Sequence, residues 1–455
     1  MNKTLIAAIA VTRFGLGAKP GEIRSARSDP RGYLFSQLRR RKRALIIDTN
    51  LASSEEAAKA YYTGRMIAQK AKSESARGEI LARRKTINRQ ATANFRREVD
   101  ARTRRAVETD QSFLERLVRF WSNHFTVSAR QSQLHGIVAP FEREVIRSHV
   151  LGSFTDLTLA ASFHRAMLIY LDNTRSIGPQ SQVGRRRRRG LNENLAREIL
   201  ELHTMGVGAY GQADVEAFAK ALTGWTIEKN AANITFGDVV FNPLWHEPGP
   251  RVFMGQAVPD DGAAQAEFII RTICRQMATA RHVCFKLIRH FITDVPAERD
   301  VEKLAGVFMR TDGNLKSVAK ALVRLESGWD PAPVKFKTPD DLVVSAGRIL
   351  GLKAVLGDNI NTFLQGLGQP IFKAPAPIGY SDISSDWIGA DALKKRLEWA
   401  NRAARRSQKH ADPLEFFDAA LGPLGRPASR DIIAGAGSRA QGLTLALMSP
   451  EFQRR

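Results

Sequence analysis

The residues best placed to do chemistry lie between Asn192 and Trp225. At about 100° per residue, Asn194, Glu198 and Glu201 fall on one wedge of a helix, while Leu191, Leu195, Ile199 and Leu202 form a neighbouring apolar stripe. Two carboxylates on one helix face can hold a divalent cation, and an added imidazole suits a transition metal or a proton transfer. His246, in Trp245-His246-Glu247-Pro248, is the candidate third member, so Glu198, Glu201 and His246 form the candidate catalytic set. Asn192, Asn194, Arg197, Trp121, His124, Asp172 and Asn173 are the candidate binding residues around it. Structural readings compete: carboxylates near Arg197, Arg251 or Arg281 form ion pairs, Trp121 and Trp225 serve as core aromatics, and His203 sits at a helix C-terminus. The chain has no His-Glu-x-x-His, paired-Cys, EF-hand, Gly-x-Ser-x-Gly or Walker pattern to decide between them.

The elements that must carry these residues are legible locally. Asn192 can cap a helix and Gly206 can end it in the left-handed region, which predicts a helix over 192–205. Val215, Phe218, Ala219 and Leu222 predict a second helix that closes at Gly224-Trp225, with Gly211 and Asp214 at its start. This second helix carries Asp214 and Glu216 against Lys220, which argues against a DNA-reading helix-turn-helix.

The run from Asn192 to Trp225 resembles the signature of a bacterial domain-of-unknown-function family, number eighteen hundred. Other stretches resemble the family in order: Ala8 to Glu22, Arg119-Phe-Trp-Ser-Asn-His124, Leu168 to Asn173, Trp245-His246, Lys335-Phe-Lys-Thr-Pro339, Leu367-Gly-Gln-Pro370 and Ser449 to Arg455. The resemblance spans nearly the whole chain and implies a mostly helical fold with no established activity. It also implies a candidate partner, a phosphatase- or sulfatase-like companion protein. The chain departs from the family pattern at Gly211, where a Thr cap is common, and in the five arginines Arg185, Arg186, Arg187, Arg188 and Arg189.

Of 455 residues 43% are hydrophobic, enough for a large core. The net charge is +23, and residues 1–150 hold thirty Lys and Arg against fourteen Asp and Glu, an excess of 16. Such a balance favours an acidic partner or polyanion. The densest run, Arg39, Arg40, Arg41, Lys42 and Arg43, and the run Arg185 to Arg189 are the candidate polyanion contacts. Neither is interleaved with aromatic residues, which favours a solvated face over base stacking.

No apolar run approaches the ~20 residues that span a bilayer. The segment Met1 to Val11 imitates a signal peptide but is short and runs into the family's opening motif, so a cytoplasmic location is favoured, with export the alternative. Cys274 and Cys284 match no zinc spacing and read as buried free thiols, a disulfide being the exported alternative.

The expected fold is mainly α, a large multi-helix body with a small β-hairpin near 233–257, where Ile234-Thr-Phe236, Val239-Val-Phe241 and Arg251 to Met254 look extended. With no low-complexity linker, one domain over 1–455 is expected, with subregions 1–150, 151–330 and 331–455. The segment from Pro370 to Gly379 is expected to pack across the surface. For function, the residues favour a basic helical interaction or scaffold protein acting with an acidic partner. The alternatives are a metal-assisted hydrolase built on Glu198, Glu201 and His246, and nucleic-acid or polyanion binding through the basic N-terminal third.

Overall fold

The computed structural model describes residues 2–69, 74–187, 190–357 and 360–455. Most of these lie in helices, because the apolar residues recur at helical spacing and bury a stripe of each helix against its neighbours. The Ala-, Glu- and Arg-rich region folds into helices Ser54–Gln69, Glu74–Glu108 and Ser112–His124, the first two packed on one another. The largest cluster of buried apolar side chains runs from Ile9 to Phe452 and joins the first helices to the last. Ala7 to Phe14 are buried within the body, and Arg13 donates to the carbonyls of Gly328, Asp330 and Ala332. Both cysteines are buried free thiols, and burial pushes Cys274 up to about 12.

The later helices are Met277–Phe291, Glu298–Arg310, Pro339–Leu350, Ala390–Ser407, Pro413–Leu421 and Arg439–Met448, each with apolar residues recurring at helical spacing. Among the described residues no helix is long and apolar enough to cross a membrane.

The β-structure differs from the single expected hairpin. Four short strands form two antiparallel pairs, β1 (Trp225–Ile227) with β2 (Val239–Phe241) and β3 (Arg251–Phe253) with β4 (Gln256–Val258). The partner of Val239–Phe241 is therefore the stretch that follows the second signature helix, with Trp225 opposite Phe241. Ile234-Thr-Phe236 lies in turns instead, with Ile234 98% exposed, because its backbone bonds are local: Phe236 N donates to the Asn233 carbonyl and the Thr235 carbonyl accepts from Asp238 N. Extended-looking residues need a partner strand, and β1 is in register where Ile234 is not.

Candidate functional site

The signature helix begins at Asn194 and runs as an α-helix to Glu198, then widens into a π-turn over Ile199–His203. Asn192 accepts from the Asn194 amide at 2.9 Å, and Gly206 is left-handed with φ 77°, as the cap residues predict. The π-turn changes which side chains share a face and frees carbonyls at the helix end. Histidines take these up: His124 Nε2 donates to the His203 carbonyl at 3.0 Å and His282 Nε2 to that of Leu202 at 3.2 Å. Burial, reinforced by Lys286, holds His124 well below its ordinary value, His203 at about 3 and His282 at about 4. These imidazoles are neutral helix-end groups. At the second helix, Asp214 reaches back to the Gly211 amide at 2.9 Å and also accepts from Met254 at 2.7 Å, so its carboxylate caps the helix without a Thr.

The candidate catalytic set is dispersed in its bonding. Glu198 and Glu201 are half-buried neighbours; burial and then Glu201 push the Glu198 carboxyl up, and Tyr210 approaches Glu201 at 3.4 Å. His246 instead packs on Phe241, with Nδ1 2.9 Å from the Thr223 carbonyl and Nε2 3.2 Å from Gln265 Oε1. No hydrogen bond or ion pair among the described residues joins His246 to either carboxylate, and no group of three His, Cys, Asp or Glu is placed to hold a metal ion. The candidate binding residues bind the fold's own parts. Asn173 donates to the carbonyls of Leu222 and Trp225 at 3.1 Å, Asn192 to that of Asp172 at 3.5 Å, and Arg197 pairs with Glu193 at 2.8 Å. Asp172 is left-handed with φ 57°, Asn194 is exposed, and Trp121 is a core aromatic among Phe120, Phe125 and Phe154. Of the basic runs, Arg39, Arg40, Arg43, Arg185 and Arg186 are exposed. Arg41 opens a 3-10 turn, Arg187 ends a short helix, and Arg188 and Arg189 lie outside the described residues.

A different group of residues builds a cleft. On helix Ser112–His124, Arg116, Arg119 and Asn123 recur at i, i+3 and i+7 and so line one face. Opposite stands the start of helix Pro339–Leu350, where Thr338 caps the backbone of Asp341 at 3.2 Å and Pro339 occupies the first turn. That start places Asp340 and Asp341 in the wall, with Arg102 of the long helix beside them. His290, near the end of Met277–Phe291, and the segment from Gln369 to Asp382 close the cleft. This last segment was expected to lie across the surface. It is drawn inward instead because its carbonyls are bonded by the body: Phe372 O accepts from Ala129 N and Ala374 O from Ser128 Oγ, both at 2.8 Å. Asn123 clamps it further by a reciprocal pair of 2.8 Å bonds to the Tyr380 backbone. Gly379 has φ 85° and lies so close that a Cβ there would meet the Asn123 carbonyl at 2.6 Å, so glycine is required.

The cleft encloses about 90 Å³, enough for several waters or one small polar group. Its wall is unusually rich in unused hydrogen-bonding capacity. Arg119 donates through Nη1 to Asp340 Oδ2, yet its Nε and Nη2 are buried without a partner, as are Asp340 Oδ1 and Arg116 Nε. His290 Nδ1 lies 2.7 Å from Asp382 Oδ1, while its Nε2 is buried and unpartnered. Burial raises the Asp382 carboxyl, and His290, Lys335 and Lys286 outweigh that, so it is held below its ordinary range and ionised. A carboxylate at Nδ1 selects the tautomer with a free lone pair at Nε2. Such an imidazole can take a proton, and the neighbouring guanidinium of Arg119 can stabilise charge that develops on oxygen.

These residues come from five places in the chain, which is why local spacing did not reveal them. Three stretches that resemble the family, Arg119 to His124, Lys335 to Pro339 and Leu367 to Pro370, each contribute or adjoin a wall. Their shared polarity was the available signal. His290 and Asp382 stand 92 residues apart with no local motif.

Neither the curated proteins nor the solved structures contain a match to this chain. A family model described as "Protein of unknown function (DUF1800)" matches residues 9–454, nearly the whole chain. The helical architecture and motifs thus come together in one assignment: this protein belongs to the DUF1800 family.

Proposed function

We propose that the protein is a hydrolase whose reaction takes place in the Arg119–His290 cleft. One observation carries this reading: an imidazole held at Nδ1 by a half-buried carboxylate leaves Nε2 without a partner in the wall of a polar cleft that also holds unpaired guanidinium nitrogens. In the proposed step, His290 Nε2 takes a proton from water as the water oxygen bonds to a carbonyl or phosphoryl centre. Arg119 Nε and Nη2 hold the oxygen that gains charge. The bond to the leaving oxygen then breaks, and that oxygen receives the proton from His290. Asp382 positions the ring and stabilises the imidazolium.

The test is turnover of chromogenic carboxylic, phosphoric and sulfuric esters by the wild type and His290→Gln. The expected result is hydrolysis of one class, with about a 10²–10⁴-fold loss in the variant. Full activity in His290→Gln, or no turnover of any class by the wild type, overturns the reading.

A second reading, an interaction protein with an acidic partner such as a phosphatase-like companion, is favoured by the exposed cations Arg39, Arg40, Arg43, Arg185 and Arg186. Co-purification of the companion that survives in wild type and is lost when these five are replaced by Ser supports it; equal recovery of both rejects it.

A further inference from the structure

The long helix Glu74–Glu108 carries a charged face that the cleft does not use. Between Leu81 and Gln90, about three turns, every residue but Ile87 is exposed, and Ile87 packs toward Gly64 of the neighbouring helix. The helix here stands clear of the body. Among the described residues one shallow trough is lined by this helix, and it presents Arg84, Lys85, Arg89 and Arg96 with Asn88 and Thr92 between them. The four cations are exposed, and none has an acidic partner within 4.0 Å among the described residues. Among the described residues no carboxylate lines the trough.

We infer that this face is a docking surface for the phosphodiester backbone of a nucleic acid. The cations from Arg84 to Arg96 extend over about 18 Å of helix, so they suit a linear polyanion with repeated charge. An acidic protein partner would need an apolar anchor at the centre of the interface, and the trough offers one large apolar side chain, Leu81. Stable anchoring on a lipid surface takes an inserted apolar face or acyl chain besides basic charge, and the exposed residues from Leu81 to Gln90 offer no such face. With no aromatic ring in the trough to stack on a base, the contact is to phosphate and independent of base sequence.

The test measures binding of the full chain to a labelled oligonucleotide, single-stranded and duplex, as a function of salt. Arg84→Ala, Lys85→Ala, Arg89→Ala and Arg96→Ala are combined in one variant. A control removes four other exposed cations, Lys394, Lys395, Arg402 and Arg405, which lowers the net charge equally. If each trough cation meets one phosphate, the slope of log K against log salt falls by about 3.6 on duplex and 2.8 on single strand in the first variant only. An unchanged slope, an equal fall in the control, or displacement of the oligonucleotide by polyglutamate at matched charge overturns the proposal, the last by pointing to an acidic protein.

Discussion

Two buried arginines show how this protein separates support from chemistry. Arg147 uses all three nitrogens: Nε bonds Glu142 at 3.1 Å, Nη1 bonds Glu115 and the Ala44 carbonyl at 2.8 and 2.9 Å, and Nη2 bonds Glu115 and Glu142 at 2.7 and 2.8 Å. Arg119 uses one nitrogen toward Asp340 and leaves two free. Burial raises the Glu142 carboxyl, but Arg102 and Arg147 outweigh it and hold the group at about 2. Removing Arg147 leaves Glu115 without its bidentate partner in a dry environment, at a cost of about 3–5 kcal/mol. Arg147→Met is therefore expected to lower the thermal midpoint strongly and Arg119→Met weakly; equal losses would show that Arg119 is structural too. At this scale residue type and spacing do not by themselves decide role. Glu198, Glu201 and His246 have the right types at attractive spacing, yet buried unused valences stand at Arg119, Asp340 and His290, and also at His124 and Asn173. Residue type says what a group can do, whereas its partners decide what capacity remains.

At the level of elements, periodicity and caps carried most of the information. Met277–Phe291, Glu298–Arg310, Pro339–Leu350, Ala390–Ser407, Pro413–Leu421 and Arg439–Met448 follow from apolar spacing, and the pair that opens with Ser54 and Glu74 from a proline-free run rich in helix-forming residues. Features without a local signal were not legible. The π-turn at Ile199–His203 is one, since its wider register is stabilised from outside by His124 and His282. Strand pairing is another, since Val239–Phe241 meets a segment fourteen residues before it in a register set by tertiary packing. The π-turn makes Gly206 sensitive. Its φ of 77° disfavours any side chain, and a Cβ there would stand 2.8 Å from His282 Nδ1. Gly206→Ala is expected to cost about 1–3 kcal/mol in thermal or denaturant unfolding. A loss below a few tenths would mean that the helix end and the histidine do not depend on one another.

Across the whole molecule, helical class and family membership were legible because both are distributed along the chain. The cleft was not, because it exists only when distant segments meet. The same burial that creates it shapes the response to acid. Burial, Lys286 and His282 hold His203 at about 3, and burial and Lys286 hold His282 at about 4. The unfolded chain binds protons on both near pH 6.5 while the native state does not. Their stabilisation is therefore present above 6.5 and falls as pH drops from 6.5 to about 4 for His282 and to about 3 for His203, by up to about 1.4 kcal/mol per pH unit for each. Glu142 adds a second loss between 4.5 and about 2. Thermal midpoints measured from pH 7.5 to 4 should decline, and the decline should be shallower in His282→Gln; a flat profile would contradict neutral burial of these rings. The central claim is that His290 works because Asp382 sets its tautomer. Asp382→Asn preserves the shape of that pair and removes its charge, so the most direct measurement is the kcat of this variant on the ester class that the wild type hydrolyses. The account predicts a fall of about 10²–10⁴-fold with the thermal midpoint little changed. Wild-type kcat in the variant would contradict it.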